Sequence, residues 1–454
     1  MRRSFNLILS YWLPSGAMRT FFFLALGIAT QNQALLHSQA FPAGYNRNEA
    51  AVAPYTLLDP LTSLHGQPVT AADWPLRRAE ILTLFEENVF GKTPAAAQHL
   101  PLRFHIDEQD NRALGGLAIR KQITLYFSAQ GEAGPKEHLL LYLPAHRRGR
   151  VPVVLGLNFQ GNHTVLHDPA IRLNPVWSRP PKSTAPPTLT VPEASTRGKE
   201  TQQWQVRKIL SRGYGVATVY YGDLDPDFKD SIQLGLRPFF YAAGQSAPAA
   251  DDWGAIGVWS WGLSRALDYL LTDSHVDSQA IAVTGHSRLG KAADWAAAQD
   301  SRFAAVLSTE SGKGGQSLSR RTFGETIAHL EHSFPYWFCA NYAQWVGRDT
   351  EIPFDGNLLL TLLAPRPLYV ASAEGDAWSD PRGEFLSAVS ASRVYRLLGK
   401  SGIESQTMPA VDQPTDPSRF VAYHVRSGIH DVTAYDWEQY LNFLDAHFGK
   451  RGGR

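Results

Sequence analysis

The stretch with the most chemical content is IAVTGHSRLGKAADWAAA, Ile281 to Ala298. It reads as an apolar strand, a turn with Ser287 between Gly285 and Gly290, and an Ala-rich helix. A serine on a sharp strand-to-helix turn is the layout of a nucleophile elbow. Backbone N–H groups and the helix dipole at that point favour an oxyanion. The second glycine falls one place later than in G-x-S-x-G. A phosphate loop or a plain β–α turn is the alternative, and the strand before and helix after favour the nucleophile.

A serine hydroxyl needs a base, which follows it in the order Ser, acid, His. Five histidines lie downstream: His329, His332, His424, His430 and His447. The first two precede the strand at 367–373. His424 falls inside a strand and His447 inside the last helix. His430, in the loop SGIHD between the last strand and the last helix, is where a base belongs. Two acids qualify. Asp376 ends the strand PLYVASAEGD, and Glu310 ends the strand AAVLSTESG. Either could orient the imidazole and stabilise its charged form. Glu374 and Asp380 are weaker alternatives, and spacing does not choose. Oxyanion donors are expected from the Arg288 amide and from the loop after the third strand, Gly156 to His163. The Arg288 guanidinium would add fixed positive charge there.

These residues need a scaffold that brings strand ends together. Helical spacing predicts a helix over 74–90, with Ile81, Leu82, Leu84 and Phe85 on one face. Apolar or alternating runs at 117–127, 138–143 and 151–158 predict strands. From Val165 to Ala194 the chain is Pro-rich without periodicity, so it is expected as an insertion bordering the site. Then come a helix (203–212), a strand (214–221), a helix (254–272), a strand (280–284), a helix (289–299) and a strand (303–308). An aromatic-rich helical excursion fills 320–347. A strand (367–373), a helix (383–398), a strand (420–425) and a helix (434–447) complete the order. Trp437, Tyr440, Leu441, Leu444 and Phe448 share one face of the last. Strands alternating with helices predict an α/β three-layer sandwich, with a mostly parallel sheet covered on both faces.

Composition excludes other classes. The 454 residues carry 43 Lys+Arg against 42 Asp+Glu, a net charge of +1. Nucleic-acid and membrane-surface binding both need a basic excess. With 44% hydrophobic residues the chain can bury a large core. The one cysteine, Cys339, forbids an intrachain disulfide and a multi-cysteine metal site, and is expected as a buried small hydrophobe. No apolar run reaches the roughly 18 residues of a membrane span. Arg19 followed by FFFLALGIA (21–29) and Ser38-Gln39-Ala40 predicts a secretory signal over residues 1–40, with Met18 as a possible true start. An exported chain without disulfides fits a bacterial periplasm or surface. Residues 41–454 are expected to form one catalytic domain and a monomer.

GHSRLGK followed by STESGKGG resembles the glucuronoyl esterases, carbohydrate esterase family 15, in their bacterial branch. The likeness extends to GLNFQGNH (156–163), RGYGVATVYYGDLDPD (212–227), WGLSRALDYL (261–270), FPYWFCANY (334–342), GDAWSDPRGEF (375–385) and GIHDVT (428–433). It implies an α/β-hydrolase fold, no metal or cofactor, and hydrolysis of the ester between 4-O-methyl-glucuronic acid on xylan and a lignin alcohol. It implies Ser287 as nucleophile, His430 as base, Arg288 beside the oxyanion, Glu310 as the family's acid and Asp376 as a second acidic position. It also implies uronic-acid contacts at Lys291, Glu325 and Trp378, with Gln344 as a further sugar contact. Lys291 lies one helical turn after Ser287, so it projects from the same helix end. An ammonium and a carboxylate can clamp vicinal hydroxyls, and Trp378 offers a flat apolar wall. Another carbohydrate esterase, such as an acetyl-xylan esterase, or a non-catalytic carbohydrate-binding homologue are the competing readings.

Overall fold

The computed structural model describes residues 44–449 except 148, 181 and 182. The expected signal segment and its cleavage point lie outside the described residues. The strands are β1 (Phe104–Arg112), β2 (Ala118–Tyr126), β3 (Lys136–Pro144), β4 (Val151–Asn158), β5 (Val176–Ser178), β6 (Thr188–Thr190), β7 (Gly215–Tyr220), β8 (Val276–His286), β9 (Ala305–Thr309), β10 (Leu368–Ala373) and β11 (Val421–Arg426). The principal helices are α1 (Trp74–Asn88), α2 (Ala255–Thr272), α3 (Arg288–Gln299), α4 (Ile327–Ser333), α5 (Pro381–Leu397) and α6 (Ala434–Phe448).

Nine strands form one sheet in the order β1-β2-β3-β7-β4-β8-β9-β10-β11. The pairs from β1 to β7 are antiparallel, and all pairs from β7 to β11 are parallel. Parallel strands buried on both faces read as continuous apolar runs. β4, VPVVLGLN, is buried at every position. Its side chains alternate between layers. Val153 and Leu155 join the core with α2 and α3, whereas Val154 joins the opposite core with α6. Trp437, Tyr440, Leu441 and Leu444 of α6 are buried there, as their spacing predicts, and Phe448 packs at its margin. In α1, Ile81 and Phe85 are buried while Leu82 and Leu84 are only half-buried.

The structure adds what hydrophobic pattern could not show. β1, FHIDEQDNR, is an exposed edge strand. Its polar side chains hide it from an alternation test, and they hold it through Arg120 of β2, which pairs with Glu108 at 2.8 Å. The loop 156–163 therefore follows the fourth strand, not the third. The expected helix 203–212 is broken at Gln205, whose φ of 42° is left-handed, into Thr201–Trp204 and Val206–Ser211. The Pro-rich stretch 165–194 carries the antiparallel pair β5–β6. Trp177 fastens that hairpin to the end of β7, its indole N–H donating to Gly222 O at 3.0 Å.

The excursion 320–347 builds an aromatic wall. Phe334 stacks on Trp337 at 3.8 Å, and Phe338 on Tyr342 at 4.2 Å. Cys339 sits in this wall, 2% exposed, with its amide donating to Val89 O at 2.9 Å. Burial pushes its thiol up to about 11. Among the described residues no helix is long and apolar enough to cross a membrane.

Candidate active site

β8 runs directly into Ser287, whose φ of 57° and ψ of −130° are strained for a residue with a Cβ. The Ser287 amide donates to Thr309 O at the end of β9, 2.9 Å away, which pins the turn. Gly285 is required, since a Cβ there would lie 2.0 Å from Leu289 O. Gly290 lets α3 approach the next strand end, where an added Cβ would meet Ser311 Cβ at 2.9 Å. This packing explains why the second glycine is displaced by one. The Arg288 and Leu289 amides open α3 and have no intrahelical acceptor.

His430 faces both carboxylates. Its Nδ1 lies 2.6 Å from Asp376 Oδ2 and 3.1 Å from Glu310 Oε2. Burial alone would disfavour a charged ring. Asp376 and then Glu310 outweigh that and raise the imidazole well above its ordinary range. Asp376 is likewise buried, which opposes its charge, yet His430 and Ser379 hold it below the usual carboxylate range. Glu310 is less free. Its Oε1 accepts from Arg426 at 2.9 Å, and its Oε2 accepts from the Asp431 amide at 2.9 Å. Arg426 is held in turn by Asp436 at 2.9 Å.

Arg288 lies among aromatic rings, its guanidinium carbon 4.9 Å from the Trp337 centroid and 5.4 Å from Phe159. It pairs with Asp227 at 3.4 Å. Asp227 also accepts from Tyr336 Oη and Trp337 Nε1, each at 2.7 Å, and from Tyr221 Oη at 3.0 Å. Burial opposes the Arg288 charge, and Asp227 restores it. In the loop after β4, Asn158 Oδ1 accepts the Gly161 amide at 2.8 Å, and Asn162 donates to His138 O at 2.7 Å. Those bonds fix the turn that carries Phe159.

Lys291 and Glu325 are both 3% exposed and lie 3.6 Å apart. Burial lowers the lysine, with Glu325 opposing. Glu325 is oriented by the Lys313 amide at 2.7 Å, and its own amide donates to Trp378 O at 3.0 Å. Trp378 is half-buried, with its ring edge-on to His329 at 5.4 Å. Lys291, Glu325 and Trp378 are thus linked to one another and to the elbow.

Gln344 is not brought to this cluster. It is exposed and donates to Asn88 at the end of α1, 3.3 Å away, rather than joining the cluster. Asp380 is excluded as a triad acid because it is fully buried between Lys313 at 3.0 Å and Arg321 at 3.1 Å. Glu374 is exposed. His424 is buried between Tyr369 and Asp436, and His447 bonds Arg419 O at 3.0 Å. His329 caps α4. Three contributors escaped the sequence reading. Asp227, Arg426 and His286 act through contacts between distant segments, which no local spacing signals. His286, Glu310 and His430 place donor atoms within 4.8 Å of one another, a set able to meet a divalent ion. The Arg426 guanidinium on Glu310 opposes a second cation there.

A family model described as glucuronyl esterase, fungi, matches residues 210–399. Carbohydrate esterase MZ0003, from an unknown prokaryotic organism, is 44% identical over 410 residues, 90% of this chain and 93% of the relative. A solved structure of a glucuronoyl esterase from Solibacter usitatus aligns with a TM-score of 0.83 and 48% identity, over 88% of this chain and all of that one. A promiscuous CE15 esterase from a marine bacterial metagenome aligns with a TM-score of 0.81 and 44% identity, over 89% of this chain and all of that one.

Proposed function

The chain belongs to the glucuronoyl esterases of carbohydrate esterase family 15, and on that premise we propose how its residues divide the reaction and what they act on. As a carboxylic ester hydrolase it cleaves esters of 4-O-methyl-glucuronic acid. The natural substrate in this reading is the ester joining that sugar on glucuronoxylan to a lignin alcohol. Ser287 attacks the uronate carbonyl while His430 takes its proton. Arg288 and the first amides of α3 meet the oxyanion as it develops. His430 returns the proton to the leaving alcohol, and water then cleaves the acyl-enzyme by the reverse proton path. The resemblance favours Glu310 as the main acid; we reverse that order and take Asp376 as the principal acid, because its contact with the imidazole is 2.6 Å against 3.1 Å for Glu310.

The observation that carries the uronate assignment is the buried pair of Lys291 and Glu325, 3.6 Å apart beside the elbow. A buried ammonium next to a carboxylate suits vicinal hydroxyls, a contact that an acetyl group could not make. The test compares alcohol release from a glucuronate ester with acetate release from acetylated xylan. Turnover of the first with negligible acetate supports the reading, and the reverse preference rejects it.

Residues 1–40 are proposed as a leader and 41–454 as one exported, monomeric catalytic domain. Sequencing the N-terminus of protein recovered from the native host checks the leader, and a start at residue 1 rejects it.

A further inference from the structure

We propose that His286 is a positioning residue that decides which of the two carboxylates serves the His430 imidazole. The inference rests on His430 being the base. Glu310 Oε2 lies within reach of three donors: His286 Nε2 at 3.2 Å, the Asp431 amide at 2.9 Å and His430 Nδ1 at 3.1 Å. Its other oxygen is taken by Arg426. One carboxylate oxygen offers about two lone-pair directions, so three donors cannot all be well met. Asp431 holds its place through the backbone, and His286 through the strand end that carries the elbow. His430 is the donor with somewhere else to go, since Asp376 accepts at 2.6 Å. His286 therefore keeps Glu310 occupied and leaves Asp376 as the working acid.

The His286 ring is well held for this task. It lies against the His430 ring, centroids 4.4 Å apart, with Phe159 edge-on at 6.2 Å. An ionised Glu310 only accepts, so His286 carries its proton on Nε2. Its Nδ1 is buried without a partner. Burial and then the His430 charge both lower its affinity for a second proton, against the pull of Glu310 and Asp431. The positive charge formed during turnover stays on His430. With His286 removed, Glu310 Oε2 loses one donor and turns to His430, and the two acids become interchangeable.

The experiment measures kcat for Asp376→Asn in three backgrounds: the parent, His286→Ala and His286→Gln. The glutamine amide can still donate to Glu310. In the parent, the asparagine costs on the order of 10²–10⁴-fold, the upper end matching loss of a triad aspartate. In His286→Ala that cost shrinks at least roughly tenfold, and adding Glu310→Gln restores it, a coupling that additive sites would not show. In His286→Gln the cost stays near the parent's. If His286→Ala does not fold, His286→Met fills the volume without donating and takes its place. An equal Asp376→Asn cost in all backgrounds overturns the inference. His430→Ala separates the two failures. Full activity in that variant rejects the base assignment itself, whereas an inactive His430→Ala with unchanged ratios rejects only the role of His286.

Discussion

Charged residues are built into the two flanks of the sheet in opposite ways. On the antiparallel flank, Arg120 and Lys121 sit mid-strand in β2, opposite Asp110 and Gln109 of a β1 whose register shifts between Ile106 and Glu108, and in regular register against β3. Arg120 meets Glu108 at 2.8 Å and Asp168 at 2.7 Å, and Lys121 meets Asp273 at 2.6 Å. Successive strand residues face opposite layers, so each charge is satisfied within its own layer. On the parallel flank the charges come just past the strand ends. Glu310, at φ 48° directly after β9, adopts left-handed backbone, as Ser287 does after β8 at φ 57°. There the chain turns sharply and aims several strand ends at one imidazole, which stays one-third exposed. A mid-strand charge that meets its partners completely has nothing left for a ligand. A strand-end charge on strained backbone does.

Substitutions on the two flanks should therefore fail differently. The largest effect is expected at Ser287→Ala, with kcat lowered by about 10⁴-fold or more and the thermal midpoint unchanged. Steady-state rates and a melting curve on the same preparation check both halves. Lys121→Met is the opposite case. Leaving Asp273 buried without its partner should cost about 3–5 kcal/mol of stability, read by urea unfolding, with kcat per folded molecule unaltered. A drop in kcat there would erase the distinction between the flanks.

Arg288→Ala comes next. An oxyanion donor is typically worth ~10²–10³ in rate, so kcat should fall with little change in KM. A change confined to KM would make Arg288 a binding residue. The smallest effect is a shift in pH profile. Asp376 favours the charged imidazole, and the base works only when neutral, so activity rises as pH climbs through the His430 pKa. Asp376→Asn removes an anion, lowers that pKa and moves the acid limb of kcat/KM to lower pH, alongside its loss of rate. An unmoved limb would detach Asp376 from the imidazole.

Much of this was legible before any coordinates. The candidate positions Ser287, Glu310, Asp376 and His430 were visible in strand–turn–helix order, because each lies within four residues of the end of a patterned strand, and the structure gathers Glu310, Asp376 and His430. Lys291 came from the family resemblance, with helical spacing only placing it on the same helix end as Ser287. β1 was not legible, since an edge strand held by ion pairs has no apolar face to display. Nor was the break at Gln205, where nothing in TQQWQVRKIL demands a left-handed residue. Gln344 could not be placed from spacing, because the excursion 320–347 contains no periodic element long enough to fix which residues turn inward. Asp227 and His286 lay in quoted motifs, yet their partners stand on other segments. Pairings of that kind come from the fold.

Cys339 gives the molecule a built-in reporter. It is the only thiol in the chain, and it lies in the wall whose Trp337 touches Arg288. A thiol-specific dye can reach it only when the stretch around 334–345 lifts from α1. Burial pushes the thiol up to about 11, so the closed wall is inert at neutral pH, and opening returns the sulfur to ordinary thiol reactivity. When reclosing outpaces the dye, labelling in native buffer follows the equilibrium population of the opened wall and measures the free energy of that local opening.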